Sequence, residues 1–484
     1  MMTLLQNTTL FQQACLINGK WQTSNGNTIA VHNPFDGQFL GSVPALSSHD
    51  VKKAIGYAKA SQKSWANQSA HQRSQILQQW AKLIDDNCDD LATIMTLEQG
   101  KPIKESKSEI AYANSFIRWF AEEAKRLDGD VLTSKSSQQR YLVLKQPIGV
   151  CAAITPWNFP AAMITRKVAP ALASGCTMLV KPASQTPFTA LALAYLGQVA
   201  GLPDGILQVV TGHSSEIGSI LSKDPRIAKL SFTGSTATGK KLMAECADSL
   251  KKLSLELGGN APFIVFEDAN LDKAVDGLIA SKFRNAGQTC VCANRIYIQN
   301  TIKEVFIDKL VNKVQQLKLG NGLHPDTDIS TLINQQALEK TQFLLKDALN
   351  KGAKLILGGN PSPVGQYCFE PTIITNLTSK MLISHEEIFA PIVPIFGFDD
   401  EDEVLTLAND SDFGLASYFY TRDYALAWRM SEQLEYGMVA QNTGLLSNEV
   451  APFGGIKQSG FGREGSKYGL DEYTTLKYWC VDLH

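Results

Sequence analysis

The chain has 484 residues, 44% of them hydrophobic and 19% charged, with 45 Lys and Arg against 47 Asp and Glu. That length supports two or three cored domains and excludes both a single small domain and a disordered chain. A formal net charge of -2 leaves no field to hold a polyanion or an acidic bilayer, so neither nucleic acid nor membrane is expected as a partner.

Residues 1–20 show no basic start before an apolar run and no small-residue cleavage pattern, and no run of about 18 apolar residues occurs anywhere. A cytoplasmic location is therefore expected. The nine cysteines are scattered singly except Cys290 and Cys292. They are expected to be thiols, most of them core filler, and no metal centre is expected.

Over 47–126 the spacing predicts helix, because Ile76, Leu77, Trp80, Leu83 and Ile84 recur on one buried face and Phe116, Ile117, Phe120 and Ala124 repeat the pattern. A short β-rich run at 139–146, between a Ser-rich stretch and Pro147, predicts a projecting strand. From Gly149 onward, apolar runs at 149–154, 177–180, 206–210, 229–232 and 252–256 alternate with helical patterns. Their spacing leaves room for the long crossovers that parallel strands need, which predicts a doubly wound α/β sheet. A second α/β block starts at Pro262, with strands near Ile264, Ile296, Leu355, Val393 and Tyr418 and helices over 305–317 and 336–349. The boundary between the blocks falls close to Leu257. The tail, 471–481, places Tyr473, Leu476, Tyr478 and Trp479 in a β-prone run that a monomer would leave as a sticky edge, so it is expected to pair with a neighbour.

In open parallel sheets, ligands collect beyond the carboxyl ends of the strands. Asn158 follows the first strand, Lys181 to Ser184 the second, Thr211 and Gly212 the third, and Gly234 and Ser235 the fourth, while Glu256 ends the fifth. One crevice is predicted there. Phe232-Thr-Gly-Ser-Thr-Ala-Thr-Gly-Lys240 is a strand, a glycine turn and a helix start, a setting in which backbone amides receive phosphate. It nearly matches a P-loop, but Lys241 stands where magnesium binding needs Ser or Thr, which argues against nucleotide hydrolysis. Taken alone, the turn is as readily structural. Lys181 is either a solvated strand end or a donor to ribose and phosphate. Beside it, the small neutral Ser184 admits a 2′-phosphate that an acidic residue would repel, so NADP is preferred and NAD is admissible.

Arg284-Asn-Ala-Gly-Gln-Thr-Cys290-Val-Cys292 is too polar for the setting of a packed core thiol. A free thiol is only roughly 3% thiolate at pH 7, so a nucleophilic Cys290 needs an electropositive or amide-rich setting, to which Arg284 would contribute. Core filler and a protease-like Cys and His pair stay open as readings of the same residue. Glu256-Leu-Gly-Gly-Asn260 sets a carboxylate at the end of an apolar strand, where it is either a general base with a raised pKa or a cap or salt-bridge partner.

Together with Thr155-Pro-Trp-Asn-Phe-Pro160, Glu386-Glu-Ile-Phe389 and Pro452-Phe-Gly-Gly455, these motifs resemble the aldehyde dehydrogenase superfamily in order and spacing over nearly the whole chain. The resemblance implies an NAD(P)-dependent aldehyde dehydrogenase with two doubly wound α/β domains and a small β oligomerisation arm. It implies a dinucleotide-binding domain over 1–133 and 149–256, a catalytic domain over 257–470, and an arm over 134–148 and 471–484. Cys290 is then the nucleophile, Asn158 the oxyanion donor and Glu256 the base that activates water. Thr155, Pro156, Trp157, Lys181, Ser184, Gly212, Gly234, Ser235, Leu257, Glu387 and Phe389 are implied to contact the cofactor. Ile164-Thr-Arg-Lys167, Phe283-Arg-Asn285 and the run from Lys457 to Gly469 look like the succinate-semialdehyde dehydrogenase branch, which implies that Arg166, Arg284 and Ser447 clamp a substrate carboxylate. Glutarate semialdehyde is the alternative substrate, and a cysteine hydrolase without redox chemistry or a non-catalytic member of the fold the alternative classes. Ala390 departs from the usual glycine of the family motif, and Ala440-Gln441 from a usual Gly-Ile. In the resembling branch a cysteine at the position of Cys292 pairs with the nucleophile, which implies a redox-sensitive enzyme. A homodimer or homotetramer is expected.

Overall fold

The computed structural model describes residues 2–23 and 26–483. The predicted helical region is four helices, Ser48–Ala66, Ala70–Asp86, Cys88–Gln99 and Ile103–Glu123. Local chemistry sets the breaks. Ser47 and Ser69 accept hydrogen bonds from the amides of Asp50 and Gln72, and Gly100 ends the third helix at φ +94°. The predicted stripe of Leu77, Trp80 and Ile84 packs with Phe116, Ile117 and Phe120 in one core.

The five predicted parallel strands are Val150–Ile154, Thr177–Lys181, Leu207–Val209, Ile227–Thr233 and Lys252–Glu256. They form the centre of an eight-stranded sheet whose edges are short antiparallel strands, Cys15–Ile17 with Lys20–Gln22 on one side and Gly460–Phe461 on the other. Helices cover both faces. Val150 and Ala152 point into one core and Cys151 and Ala153 into another, which is why these strands read as unbroken apolar runs. Thr177–Lys181 and Ile227–Thr233 flank Val150–Ile154, the first of the five in the chain, so the order reverses between Val150–Ile154 and Ile227–Thr233. That reversal opens a crevice at their carboxyl ends.

A second, seven-stranded sheet contains Ala261–Val265, Ala293–Gln299, Thr372–Thr375, Ile392–Phe398, Ala416–Tyr420 and Met438–Gln441, all parallel, with Lys354–Leu357 antiparallel at its edge. The helices predicted over 305–317 and 336–349 are Lys303–Val314 and Gln335–Asn350. A third sheet is wholly antiparallel and joins Asp130–Leu132, Gln139–Pro147 and Thr474–Asp482. The tail strand, Thr474–Asp482, stands at the edge of this sheet, and the expectation that it pairs with a neighbour rests on its open side. Its partner is Gln139–Pro147 of the same chain, in register from Thr474 opposite Pro147 to Asp482 opposite Gln139. Pairing within the chain satisfies one side of the strand, and Leu476, Tyr478 and Trp479 stay exposed on the sheet. No helix among the described residues is long and apolar enough to cross a membrane.

Candidate active site

Beyond Glu256 the chain crosses from the first sheet to the second through Leu257-Gly-Gly-Asn260. This crossing needs glycine, because a Cβ on Gly259 would lie 2.5 Å from the Cys290 carbonyl oxygen. The Gly259 amide donates to Glu387 Oε1 at 3.1 Å, tying the strand end, the nucleophile loop and the Glu386-Glu-Ile-Phe389 segment together.

Cys290 follows a turn in which Asn285 and Ala286 both sit in the left-handed region, at φ +52° and +54°. Each such non-glycine residue costs about 1 kcal/mol or more, so the surroundings must hold it. The Asn285 amide donates to Glu105 Oε2 at 2.8 Å, and Gln99 Nε2 donates to Asn285 Oδ1 at 2.9 Å. Asn285 Nδ2 donates to the Asn158 carbonyl at 3.0 Å, while Asn158 Nδ2 donates to the Gln288 carbonyl at 3.0 Å. Asn158 and Cys290, from different sheets, are thereby fixed to one another.

Both residues line a cavity of about 270 Å³ with Pro156, Trp157, Leu257 and Glu387. Gly234, Ser235 and Phe389 complete the predicted part of its wall. The rings of Trp157 and Phe389 meet edge to face, with centroids 5.7 Å apart. Ser235 caps the helix Thr236–Cys246 by accepting from the Thr238 amide at 3.4 Å, so a helix N-terminus stands at the cavity. Other predicted residues lie elsewhere. Thr155 is buried with its hydroxyl unpartnered, and Lys181 is buried and donates to Ser214 Oγ at 2.5 Å. Burial pushes the Lys181 ammonium down to about 8. Ser184 lines a separate cavity with Glu98 and Asn334, and Gly212 packs where a Cβ would meet Ile217 at 2.6 Å.

Arg284 and Ser447 share a second, larger cavity of about 520 Å³ with Glu105, Glu109, Tyr112 and Phe159. Asn158 lines the first cavity and Phe159 the second, so this dipeptide forms part of the wall between them. Arg284 lies over the Phe159 ring, 4.8 Å from its centroid, and has no ion pair among the described residues. Arg166 does not line that cavity. It is buried behind Tyr112, whose hydroxyl accepts from it at 2.7 Å, and it pairs with Glu464 at 3.3 Å. Burial opposes its charge, but Tyr112 and Glu464 outweigh that, so its pKa is raised. Of the implied three-residue clamp, Arg284 and Ser447 face this cavity, while Arg166 lies off its wall and shares the Glu464 carboxylate with Lys167.

Glu256 is 2% exposed and neither of its carboxylate oxygens has a hydrogen-bond partner among the described residues. Such a group normally marks a site of function, since leaving it unsatisfied costs stability. Burial, and then the nearby Glu464, raise its pKa well above the usual carboxylate range, while Lys167, Arg166 and Arg463 act the other way. Lys167 is itself held by Glu464 and by Thr233 Oγ1. The thiol of Cys290 is pushed up to about 12 by burial and then by Glu387, with Arg166 and Arg284 only partly opposing. The expected electropositive activation by Arg284 is therefore outweighed. Glu387 itself is held at about 7, chiefly by burial. Cys292 is buried, its Sγ directed at the carbonyls of Lys282 and Ala293 at 3.7 and 3.4 Å.

Sequence reasoning missed Lys340, which lines the first cavity and donates to the Glu387 carbonyl at 2.7 Å. Nothing in the pattern of its helix marks it. It also missed Glu105, Glu109 and Tyr112. Their i, i+4, i+7 spacing puts three polar residues on one face of an otherwise amphipathic helix, a signal that was available.

The chain matches the aldehyde dehydrogenase family over residues 21–479. It is 54% identical to a glutarate-semialdehyde dehydrogenase of Pseudomonas aeruginosa, over 99% of both chains. The chain belongs to the aldehyde dehydrogenase family. It is also 54% identical to an NADP(+) succinate-semialdehyde dehydrogenase of Escherichia coli, over 99% of this chain and 100% of that one. The crystal structure of an NADP-dependent enzyme from E. coli superposes with a TM-score of 0.98 at 53% identity, over 99% of this chain and 100% of that one. The family fold is thus established, and the expectation of an NAD(P)-dependent aldehyde dehydrogenase is met.

Proposed function

We propose that this aldehyde dehydrogenase oxidises succinate semialdehyde to succinate with reduction of NADP, or less readily NAD. The observation that carries the substrate reading is the Arg284 guanidinium, without an ion pair among the described residues and sharing with Ser447 a cavity walled by the residue next to Asn158. A cation stacked on an aromatic ring and facing a cavity is matched by an anionic substrate end. Glutarate semialdehyde is the second reading, favoured by the equal identity to a relative named for it.

In this reading Cys290 Sγ adds to the aldehyde carbon, and the oxyanion of the resulting thiohemiacetal is held by the Asn158 side-chain amide and the Cys290 backbone amide. The first cavity suits a nicotinamide dinucleotide, with the Ser235 helix N-terminus for phosphate, Glu387 for ribose hydroxyls and Trp157 with Phe389 as aromatic walls. The same reading gives Lys181 and Ser184, which stand outside that cavity, to the adenosine ribose, and the neutral Ser184 supports NADP. When bound, the dinucleotide accepts a hydride, the one chemistry that no side chain here supplies. Glu256, unpartnered and buried, then takes a proton from the water that cleaves the thioester, releasing the acid and restoring Cys290.

The same reading assigns 1–133 and 149–256 to dinucleotide binding, 257–470 to catalysis, and 134–148 with 471–484 to an oligomerisation arm. Cys292 is the proposed redox partner of Cys290. For it to pair, its thiol must leave the Lys282 and Ala293 carbonyls. Steady-state kinetics with succinate semialdehyde, glutarate semialdehyde and butanal, each with NADP and NAD, test the proposal. Arg284→Ala is expected to lower the preference for the acidic aldehydes over butanal by about tenfold to a hundredfold, the worth of a charge-assisted contact. An unchanged ratio refutes the carboxylate site, and NAD outperforming NADP refutes the role of Ser184.

A further inference from the structure

The second cavity holds three carboxylates, and two of them are committed elsewhere. Glu109 pairs with Lys101 at 2.5 Å and accepts from the amides of Ala161 and Ala162 at 2.9 and 3.2 Å. Asp328 pairs with Lys104 and accepts from the Lys318 amide at 2.9 Å. Glu105 has no ion pair among the described residues, and its one hydrogen bond there is from the Asn285 amide, at 2.8 Å. The cavity therefore contains one uncommitted cation, Arg284, and one uncommitted anion, Glu105, whose partner residue Asn285 directly follows Arg284 in the chain.

We propose that the Glu105 carboxylate competes with the substrate's carboxylate for Arg284, and so sets how strongly the cavity prefers an acidic over a neutral aldehyde. This rests on the reading of an acidic substrate given above. An ionised Glu105 partly cancels the field of Arg284 and repels an incoming anion, whereas a neutral one does neither.

The charged groups around Glu105 are Lys101 and Lys104 near the start of its helix, Glu109 one turn further along it, Arg284 from the nucleophile loop, and Asp328 across the cavity. Burial holds its carboxyl up to about 7, against Lys101, the Asn285 amide, Arg284 and Lys104. Its charge thus changes within the working range of pH. A substrate carboxyl, with an ordinary pKa of about 4, stays ionised throughout. Lowering the pH through 7 neutralises Glu105 and strengthens the preference for the acid, and raising it weakens the preference.

The readout is the ratio of kcat/KM for succinate semialdehyde to kcat/KM for butanal, measured from pH 6 to pH 9. Ionisation of Cys290 or Glu256 affects both substrates and cancels in that ratio. For the unaltered enzyme the ratio is expected to fall by about threefold to tenfold as pH rises, the effect of one extra charge at moderate screening. Glu105→Gln keeps an oxygen to accept the Asn285 amide, and should give a high ratio with no fall. Glu105→Asp keeps a carboxylate, and should keep a fall. A flat ratio in the unaltered enzyme overturns the proposal, as does the same fall in Glu105→Gln, or a loss in that variant that is equal for both substrates at every pH and marks a purely structural role. A ratio near one at every pH in the unaltered enzyme means instead that the acidic-substrate reading itself fails, and the proposal with it.

Discussion

In the proposed reaction, catalysis depends on two acids whose protonated forms burial favours. The Cys290 thiol at about 12 and the Glu256 carboxyl well above its usual range are both inert in their neutral forms. The sign is the same for both. A group with a raised pKa gains its reactive, deprotonated form as pH rises, so turnover is expected to climb from pH 6 to pH 9 and to fall away on acidification. Glu256→Gln should lower kcat by about 10² to 10⁴-fold and flatten that climb. Its acyl-enzyme should persist long enough to be seen as added mass on Cys290. A variant that turned over normally would remove Glu256 from the reaction. That Asn158 and Cys290 share one cavity was legible in the sequence, because strand ends and a polar cysteine loop converge there. The surroundings of Arg166 were not, since nothing near it in the sequence announces that it pairs with Glu464 and donates to the Tyr112 hydroxyl. Pairing of that kind depends on Glu464, which lies far along the chain.

Among the elements, helix Ile103–Glu123 does more than pack. Lys101, just before it, donates to the Asn158 carbonyl at 2.7 Å and pairs with Glu109, both side chains almost wholly buried. A buried pair broken on one side leaves an uncompensated charge, at a cost of about 3–5 kcal/mol. Glu109→Gln is therefore expected to lower the unfolding free energy by about 3–5 kcal/mol, read as a lower urea midpoint, and to lower kcat, because Asn158 loses its brace. An unchanged midpoint would show that solvent reaches Lys101. The five parallel strands and the long helices were readable from apolar runs and periodicity. The strands Cys15–Ile17, Thr28–His32, Phe39–Pro44 and Gly460–Phe461 were not. Two of these, Cys15–Ile17 and Gly460–Phe461, are very short, and the edge pair Leu16 and Val209 joins residues so distant in sequence that no local pattern could announce it.

At the scale of the whole molecule, the antiparallel sheet of 130–132, 139–147 and 474–482 leaves Val131 at 78%, Leu476 at 67%, Tyr478 at 60% and Trp479 at 52% exposure. By strand alternation Leu476 and Tyr478 lie on one face and Val131 with Trp479 on the other, and apolar side chains exposed on a small sheet mark surfaces for association. Substituting Leu476→Glu and Trp479→Glu together is expected to lower the sedimentation coefficient to that of a single chain at micromolar concentration. A native protein that already sediments as a single chain would leave these surfaces without a subunit partner.

The partition at Asn158 and Phe159 has a consequence for traffic. With one cavity on each side of that dipeptide, the molecule has two doors, and what passes through one need not wait for the other to clear. In the proposed reaction, spent coenzyme is then free to depart while the acyl group is still fastened to sulfur, and a fresh aldehyde does not queue behind it. Product inhibition should carry the signature of that arrangement: the dicarboxylic acid competing with the aldehyde, the reduced dinucleotide with its oxidised form, and neither displacing the other.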